Sequence, residues 1–265
     1  MKKFDNKVVW ITGSSSGIGE ACAYEFAGQG AHLILTALEP DILAKVKEKC
    51  EALGAKCEVL PYNLSDLDGI DELVNKALVC FGRIDIMYNN AGISQRSKTG
   101  DTLFAVDKKI MDVNFFAPVL IAKLLLPSML ENGGGVFAVT TSISGRFGFP
   151  LRSAYCSSKH ALYGFFETLH AEYFDQNIRV VLVCPGRVQT HISFYALERD
   201  GKQHAKMDDG QAGGITATKA AHKIVNAIYK RKPEVLVGGK ELLMVYIKRF
   251  FPTLSRKMVR KIKPT

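Results

Sequence analysis

Four consecutive apolar residues near the N-terminus, Val8-Val9-Trp10-Ile11, run straight into Thr12-Gly13-Ser14-Ser15-Ser16-Gly17-Ile18-Gly19 and then into a segment of helical period. A strand that is apolar at every position must be covered on both faces, as in parallel sheets flanked by helices and unlike half-exposed antiparallel sheets. The glycine-rich turn lies between that strand and the helix, the context in which such a turn cradles a dinucleotide. Gly13 permits the tight turn, Gly17 lets a pyrophosphate approach the backbone, and Gly19 lets the helix pack on the sheet. Ser15, Ser16 and Ile18 complete a loop whose N–H groups, with the positive end of the helix dipole, face the phosphates.

The same alternation continues along the 265 residues. Apolar β-rich runs at 7–11, 32–36, 56–60, 84–88, 135–140, 178–183 and 234–237 are separated by helical patterns at 17–29, 40–53, 66–80, 106–131, 153–176 and 218–230. This predicts an α/β fold with a doubly wound, parallel, seven-stranded sheet. Residues 1–239 are expected to form one Rossmann-type domain, followed by a basic tail at 240–265. The stretch 189–214 has no clear period and follows a strand end, as a substrate lid would.

The candidate chemistry lies downstream of the turn. Tyr155 and Lys159 stand at i, i+4 and share one helix face. A tyrosine titrates near ~10, so ionising it near pH 7 requires about 4 kcal/mol. One cation at about 4 Å supplies roughly that amount at an effective dielectric of ~20. The expectation is that Lys159 lowers Tyr155, the general acid/base. Ser142, in a turn after the fifth strand, would hold the substrate oxygen beside the phenol. His160 is expected to bond locally, since it points about 100° away on the helix.

With Asn89-Asn90-Ala91-Gly92, Asn114, Pro185-Gly186 and Thr190, these motifs resemble the short-chain dehydrogenase/reductase family over about residues 5–238. The resemblance implies strand order 3-2-1-4-5-6-7, a nicotinamide cofactor across the carboxyl ends of the strands, and homodimers or homotetramers built through the 106–131 and 153–176 helices. It implies that Lys159 also bonds the nicotinamide ribose and that Asn114 holds a relay water beside it. It assigns cofactor contacts to Leu38, Glu39, Asn63, Leu64, Asn90, Ala91, Gly92, Pro185, Gly186, Val188 and Thr190, besides the turn, Tyr155 and Lys159. At the cofactor-selecting position this chain has Ala37-Leu38, neither the acid common with NAD(H) nor the arginine common with NADP(H). Glu39 leans the choice toward NAD(H), because its carboxylate repels a 2′-phosphate; its other reading is that it only begins the next helix. Asn63 stands where the family usually has Asp at the adenine. Thr190 is read both as capping a lid helix and as touching the carboxamide.

Composition narrows the rest. Six scattered cysteines form no C-x-x-C pair and no metal-ligand spacing, so reduced thiols and no metal are expected. No apolar run of spanning length is expected, since Pro118 interrupts the longest, and the N-terminus lacks a signal-peptide run; a cytoplasmic protein follows. Lys240, Lys248, Arg249, Arg256, Lys257, Arg260, Lys261 and Lys263 against Glu241 put +7 of the net +9 after Gly239. With Leu254, Met258, Val259 and Ile262 at near-helical spacing, this reads as a basic amphipathic helix making peripheral membrane contact, or as a solvated or oligomer-packing tail. No recognition motif accompanies the charge, so nucleic acid is not expected. Phe147, Phe149, Leu151, Ile192, Phe194 and Tyr195 around the expected site mouth point to a hydrophobic alcohol, ketone or aldehyde as substrate. A non-catalytic dinucleotide sensor or membrane scaffold would not need Ser142, Tyr155, Lys159 and Asn114 together, and a nucleotide-sugar epimerase would carry a larger C-terminal substrate region.

Overall fold

The computed structural model describes residues 2–262, so Lys263 lies outside the described residues. In chain order the elements are β1 (Val8–Thr12), α1 (Gly17–Gly28), β2 (His32–Thr36), α2 (Pro40–Ala52), β3 (Cys57–Val59), α3 (Ile70–Phe81), β4 (Ile86–Asn89), α4 (Phe104–Met111), α5 (Ala117–Glu131), β5 (Gly135–Thr140), α6 (Ser153–Glu172), β6 (Ile178–Pro185), α7 (Asp209–Ala212), α8 (Ala217–Tyr229), β7 (Glu234–Val237), α9 (Leu243–Phe250) and α10 (Pro252–Val259). All seven strands are parallel, in the order β3-β2-β1-β4-β5-β6-β7. The chain reverses direction across the sheet between β1 and β4, and the crevice outside their carboxyl ends is where such sheets bind ligands.

Period-two alternation explains why β1 is apolar throughout. Val9 and Ile11 pack with α1, α2 and α8, while Val8 and Trp10 pack with α3, α5 and α6. Trp10 is wholly buried, and its indole Nε1 donates to Thr36 Oγ1 at 2.9 Å, satisfying the one polar group it carries inside.

Three sequence expectations shift. α3 begins at Ile70 because the preceding residues are held in turns: the Tyr62 hydroxyl donates to the Asp66 carbonyl, and Asn63 accepts from Ser65 N. The helix at 106–131 starts at Phe104 and contains a π-helical turn, Asp112–Phe116, between α4 and α5. Pro118 falls where that wide turn hands over to ordinary α-helix, so its missing N–H does not end the helix. The continuous helix Phe104–Glu131 has the length of a membrane span and contains an 18-residue window with a mean hydropathy of 1.8. Its buried residues, among them Ile121, Ala122, Leu125 and Met129, pack in the core with α3, α6 and the sheet.

Candidate active site

The glycine turn is built so that side chains would break it. Gly13 and Gly17 have φ of 64° and 59°, in the left-handed region. A Cβ on Gly13 would lie 2.7 Å from Ala91 Cα, and one on Gly17 would lie 2.9 Å from Thr190 Cγ2. The Ser14 hydroxyl donates to the Thr36 carbonyl, joining the turn to β2. Ser16 occupies the N-cap of α1 but its side chain makes no capping bond. The N–H groups of the first turn, Gly17, Ile18 and Gly19, are thus donors for an anion, so these residues fit a dinucleotide pyrophosphate.

Asn90 serves as the clamp of this turn. Its Nδ2 donates to the Thr12 and Gly13 carbonyls at 3.2 and 3.1 Å, and its Oδ1 accepts from Thr140 Oγ1 at 3.2 Å. Its side chain is thus engaged with the loop, a positioning role. Ala91 N bonds Thr12 Oγ1 at 3.2 Å. Gly92 keeps space open, since a Cβ there would sit 3.3 Å from Asn114 Oδ1 and 3.4 Å from Lys159 Nζ.

Asn114 is in the π-helical turn, which aims it at the loop after β4. Its Oδ1 accepts from Ile93 N at 2.8 Å, and its Nδ2 donates to Ile93 O at 2.9 Å and to Ser158 Oγ at 3.1 Å. It lies in the π-helical turn, and its Oδ1 and Lys159 Nζ both border the space that a Cβ on Gly92 would enter. Lys159 Nζ donates to the Thr140 carbonyl at 2.7 Å. Burial drives its ammonium down to about 7.

Ser142 and Tyr155 face a cavity of about 660 Å³ at the carboxyl ends of β5 and β6. Ser142 caps a short 3₁₀ turn, accepting from Ser144 N at 3.1 Å. Burial pushes the Tyr155 phenol up from its ordinary value, while hydrogen bonding with Ser142 and the charges of Arg152 and Arg96 pull it down. In the cofactor-free protein the lowering influences are thus Ser142, Arg152 and Arg96, and Lys159 is not among them. The Lys159 ammonium lies 5.9 Å from the Tyr155 ring centroid and is itself driven toward neutrality. His160 bonds the Cys156 carbonyl at 2.7 Å, one turn back on its own helix. Burial raises the Cys156 thiol, which leaves it un-ionised.

The other cofactor positions sort by geometry. Ile18, Pro185, Gly186, Val188 and Thr190 line the cavity together with Tyr155. Thr190 Oγ1 accepts from Gln211 Nε2 at 3.1 Å and caps no helix, because residues 191–195 form turns. Leu38 is exposed; Leu64 is buried and belongs to the core. Glu39 is the N-cap of α2, yet its side chain makes no capping bond, so starting the helix does not consume its carboxylate. Asn63 Oδ1 accepts from both Ser65 N and Ser65 Oγ, at 3.1 and 2.8 Å. Its amide NH₂ is left without a partner among the hydrogen bonds of the described residues. A separate cavity of about 710 Å³ lies against α1 on the far side of Thr190, without Ser142 or Tyr155.

Two features of the cavity wall escaped the sequence reading. The first is a buried triad: Arg96 Nε donates to both Asp208 carboxylate oxygens at 3.2 Å, and Arg152 Nη2 donates to Asp208 Oδ2 at 2.8 Å. It ties the 189–214 segment to the loop after β4 and to the start of α6. The second is Glu241, whose Oε1 accepts from Arg187 N at 2.7 Å and Gly239 N at 2.9 Å. Burial alone would raise this carboxyl, but those N–H bonds hold it below the usual range. A Cβ on Gly186 or Gly238 would come within 2.4 Å of the same oxygen, so both glycines make room for it. Glu241 thus staples α9 and α10 to the site, where Met244, Met258 and Ile262 complete the wall. Phe147, Phe149 and Ile192 line it as expected, but Leu151, Phe194 and Tyr195 do not. The Phe194 and Tyr195 rings contact each other at 5.3 Å and stay exposed, and Leu151, at φ 63°, gives its carbonyl to Ser97 N.

Comparison with known proteins fits this geometry. Residues 7–200 match the family model described as short chain dehydrogenase. The chain is 37% identical over 262 residues to a dehydrogenase/reductase SDR family protein 7-like of Drosophila melanogaster, covering 96% of this chain and 80% of the relative. It is 38% identical over 254 residues to dehydrogenase/reductase SDR family member 7B of Xenopus laevis, covering 93% and 79%. In fold it resembles a short-chain dehydrogenase/reductase of Burkholderia phymatum solved in complex with NAD, with a TM-score of 0.82, 24% identity and coverage of 100% and 98%. Acetoin dehydrogenase YohF of Salmonella typhimurium shares the fold at a TM-score of 0.75 and 24% identity, over 88% and 94% of the two chains. With the glycine cradle, the parallel sheet and the Ser142, Tyr155 and Lys159 constellation in one crevice, the chain belongs to the short-chain dehydrogenase/reductase family and is a nicotinamide-dependent oxidoreductase.

Proposed function

We propose that the protein interconverts a hydrophobic secondary alcohol and its ketone, or an aldehyde, with Tyr155 as general acid/base and NAD(H) as the preferred cofactor. The observation that supports this reading is the cavity lining, in which Tyr155 and Ser142 stand together with Ile143, Phe147, Phe149, Ile192 and Met244. That apolar wall favours an apolar substrate, while polar and charged groups such as Arg96, Arg152, Arg187 and Lys240 line the rest of the cavity, and Ser142 with Tyr155 would fix one oxygen of the substrate. When bound, the nicotinamide supplies or accepts the hydride. Ser142 donates a hydrogen bond to the substrate oxygen, and Tyr155 gives that oxygen a proton in reduction or takes one in oxidation. Lys159 and Asn114, which both border the space beside Gly92, support proton exchange behind the phenol. Glu39 supports NAD(H) because its carboxylate disfavours a 2′-phosphate and Ser14, Ser15 and Ser16 add no basic clamp.

Calorimetric titration with NADH and NADPH, followed by assay of hydrophobic secondary alcohols with the preferred oxidised cofactor, tests both parts. Tighter NADH binding and turnover that rises with alkyl chain length are expected. Tighter NADPH binding would remove the role given to Glu39, and activity confined to small polar alcohols would remove the substrate class.

A pH dependence follows from Lys159. In the free protein its ammonium titrates at about 7, so at pH 8 the amine is mostly neutral. The anionic cofactor and its ribose hydroxyls favour the charged form, which raises that value. Proton uptake therefore accompanies NADH binding between the free and bound values, and it disappears below about pH 6, where Lys159 is already charged. Titrations at pH 8 in buffers of different ionisation enthalpy should show this uptake, and Lys159→Met should abolish it. Equal heats in all buffers for the unaltered protein would contradict the assignment.

A further inference from the structure

The α9–α10 hairpin has two faces that do different things. Its inner face is fixed: Met244 and Val245 pack with Ile143, Phe147 and Leu242, and Glu241 anchors its start. Its outer face is apolar and, among the described residues, unpartnered. Leu243, Tyr246 and Phe250 recur at i, i+3 and i+7 of α9 with 60%, 52% and 69% exposure. Phe251, at the bend into α10, is 62% exposed, and Leu254 on α10 is 49% exposed. Lone exposed apolar residues need no explanation, but five large ones within twelve positions form a patch that marks an interaction surface.

Charge identifies the occupant. Lys248, Arg249, Arg256, Lys257, Arg260 and Lys261 stand on the same two helices and the residues just after them. The single acid of the segment, Glu241, is turned inward onto backbone N–H groups. The outer surface thus joins aromatic and aliphatic groups to long cationic side chains that can snorkel, the composition that seats a helix in the headgroup region of an anionic bilayer. A second copy of the same face would bring six cations against six. Nucleic acid would use the charge but leave the aliphatic groups exposed.

We infer that this hairpin is an interfacial docking element for anionic lipid membranes, and that it sets the mouth of the Tyr155 cavity against the lipid. Met258 joins the two roles, because it is 37% exposed and also lines the cavity. An apolar substrate then passes from bilayer to active site without crossing water; this clause rests on the substrate class proposed above, whereas the docking itself does not.

Full-length protein is sedimented with vesicles of phosphatidylcholine alone and with vesicles also containing phosphatidylserine. Binding to the mixed vesicles, weakened by salt, is expected, with at least about tenfold less to the neutral ones. Phe250→Ser with Phe251→Ser, and separately Arg256→Glu with Lys257→Glu, should each lower vesicle affinity at least about tenfold. None of these four residues lines the cavity, so NADH affinity and melting temperature should match the parent and show that the variants fold. Protein left in the supernatant with both vesicle types overturns the inference. Vesicle binding unaffected by the serine pair also overturns it, as does an oligomer in sedimentation velocity that the serine pair dissociates, or tighter binding to single-stranded nucleic acid than to vesicles. Failure of the alcohol assay with vesicle binding intact would overturn only the substrate class.

Discussion

Replacing Tyr155 by Phe is expected to lower turnover by roughly 10²–10⁴-fold while NADH affinity stays within about threefold of the parent. Phenylalanine keeps the ring that fills this part of the cavity wall and removes only the proton-carrying oxygen. The cofactor anchors proposed for this chain lie elsewhere, at the N–H groups of the first turn of α1, whose N-cap side chain makes no capping bond, and in the loop that Asn90 clamps. The variant therefore separates chemistry from binding. Steady-state rates with fluorescence titration of NADH read the two quantities independently, and turnover within tenfold of the parent would refute the acid/base role. Ser142→Ala is a less clean probe. Ser142 Oγ also accepts from Ser144 N, so its removal loosens the 3₁₀ turn as well as the substrate oxygen site. Lys159→Met is less clean again, because it strips the Thr140 carbonyl of its buried partner.

The electrostatics around Tyr155 show what a linear pattern can and cannot convey. Spacing alone put Tyr155 and Lys159 on one helix face, and they share it. Spacing could not show that Lys159 is so enclosed that burial works against its own charge, nor that Arg152 and Arg96 are the cations acting on the phenol. Arg96 comes from the loop after β4 and meets Asp208 across 112 positions of sequence. Such a pairing has no local signature; only the fold creates it. The π-helical turn at Asn114 was hidden for the opposite reason, since the helical apolar pattern runs through it unbroken and only the backbone path records the extra residue.

The elements that were legible are those where local chemistry and tertiary environment demand the same thing. β1 is apolar at every position because helices cover both of its faces, and the turn after it is glycine where side chains would meet Ala91 and Thr190. The C-terminal segment was legible in part. Its near-helical apolar spacing gave α10, but an amphipathic pattern does not say which apolar residues turn inward. Met258 and Ile262 belong to the active-site wall, and the lone Glu241, which reads as a residual charge in a basic run, is the staple that holds the segment there.

Adding one methyl group at Gly19 should remove cofactor binding. A Cβ there would lie 2.1 Å from the Gly13 carbonyl oxygen and 2.6 Å from Asn90 Nδ2. Neither neighbour can yield cheaply, because the first is backbone of the turn and the second is the amide that clamps it. Relief requires α1 to back away from the sheet or the turn to open, and both move the first-turn N–H groups away from the phosphates. Gly19→Ala is therefore expected to weaken NADH binding at least about 100-fold, since those N–H groups are the donors this turn offers to an anion. Overpacking of this kind costs about 1–3 kcal/mol and should lower the melting temperature by about 3–10 °C in a chain of this size. Binding measured well below that temperature separates loss of the cradle from loss of the fold. The internal control is Gly28, at the other end of the same helix, where an added Cβ meets nothing within 4 Å. Gly28→Ala should bind NADH as the parent does and melt at the same temperature or slightly higher, because alanine loses less backbone entropy on folding. NADH affinity of Gly19→Ala within about threefold of the parent would mean that the dinucleotide does not rest on this turn, and the assignment of the crevice would fall with it.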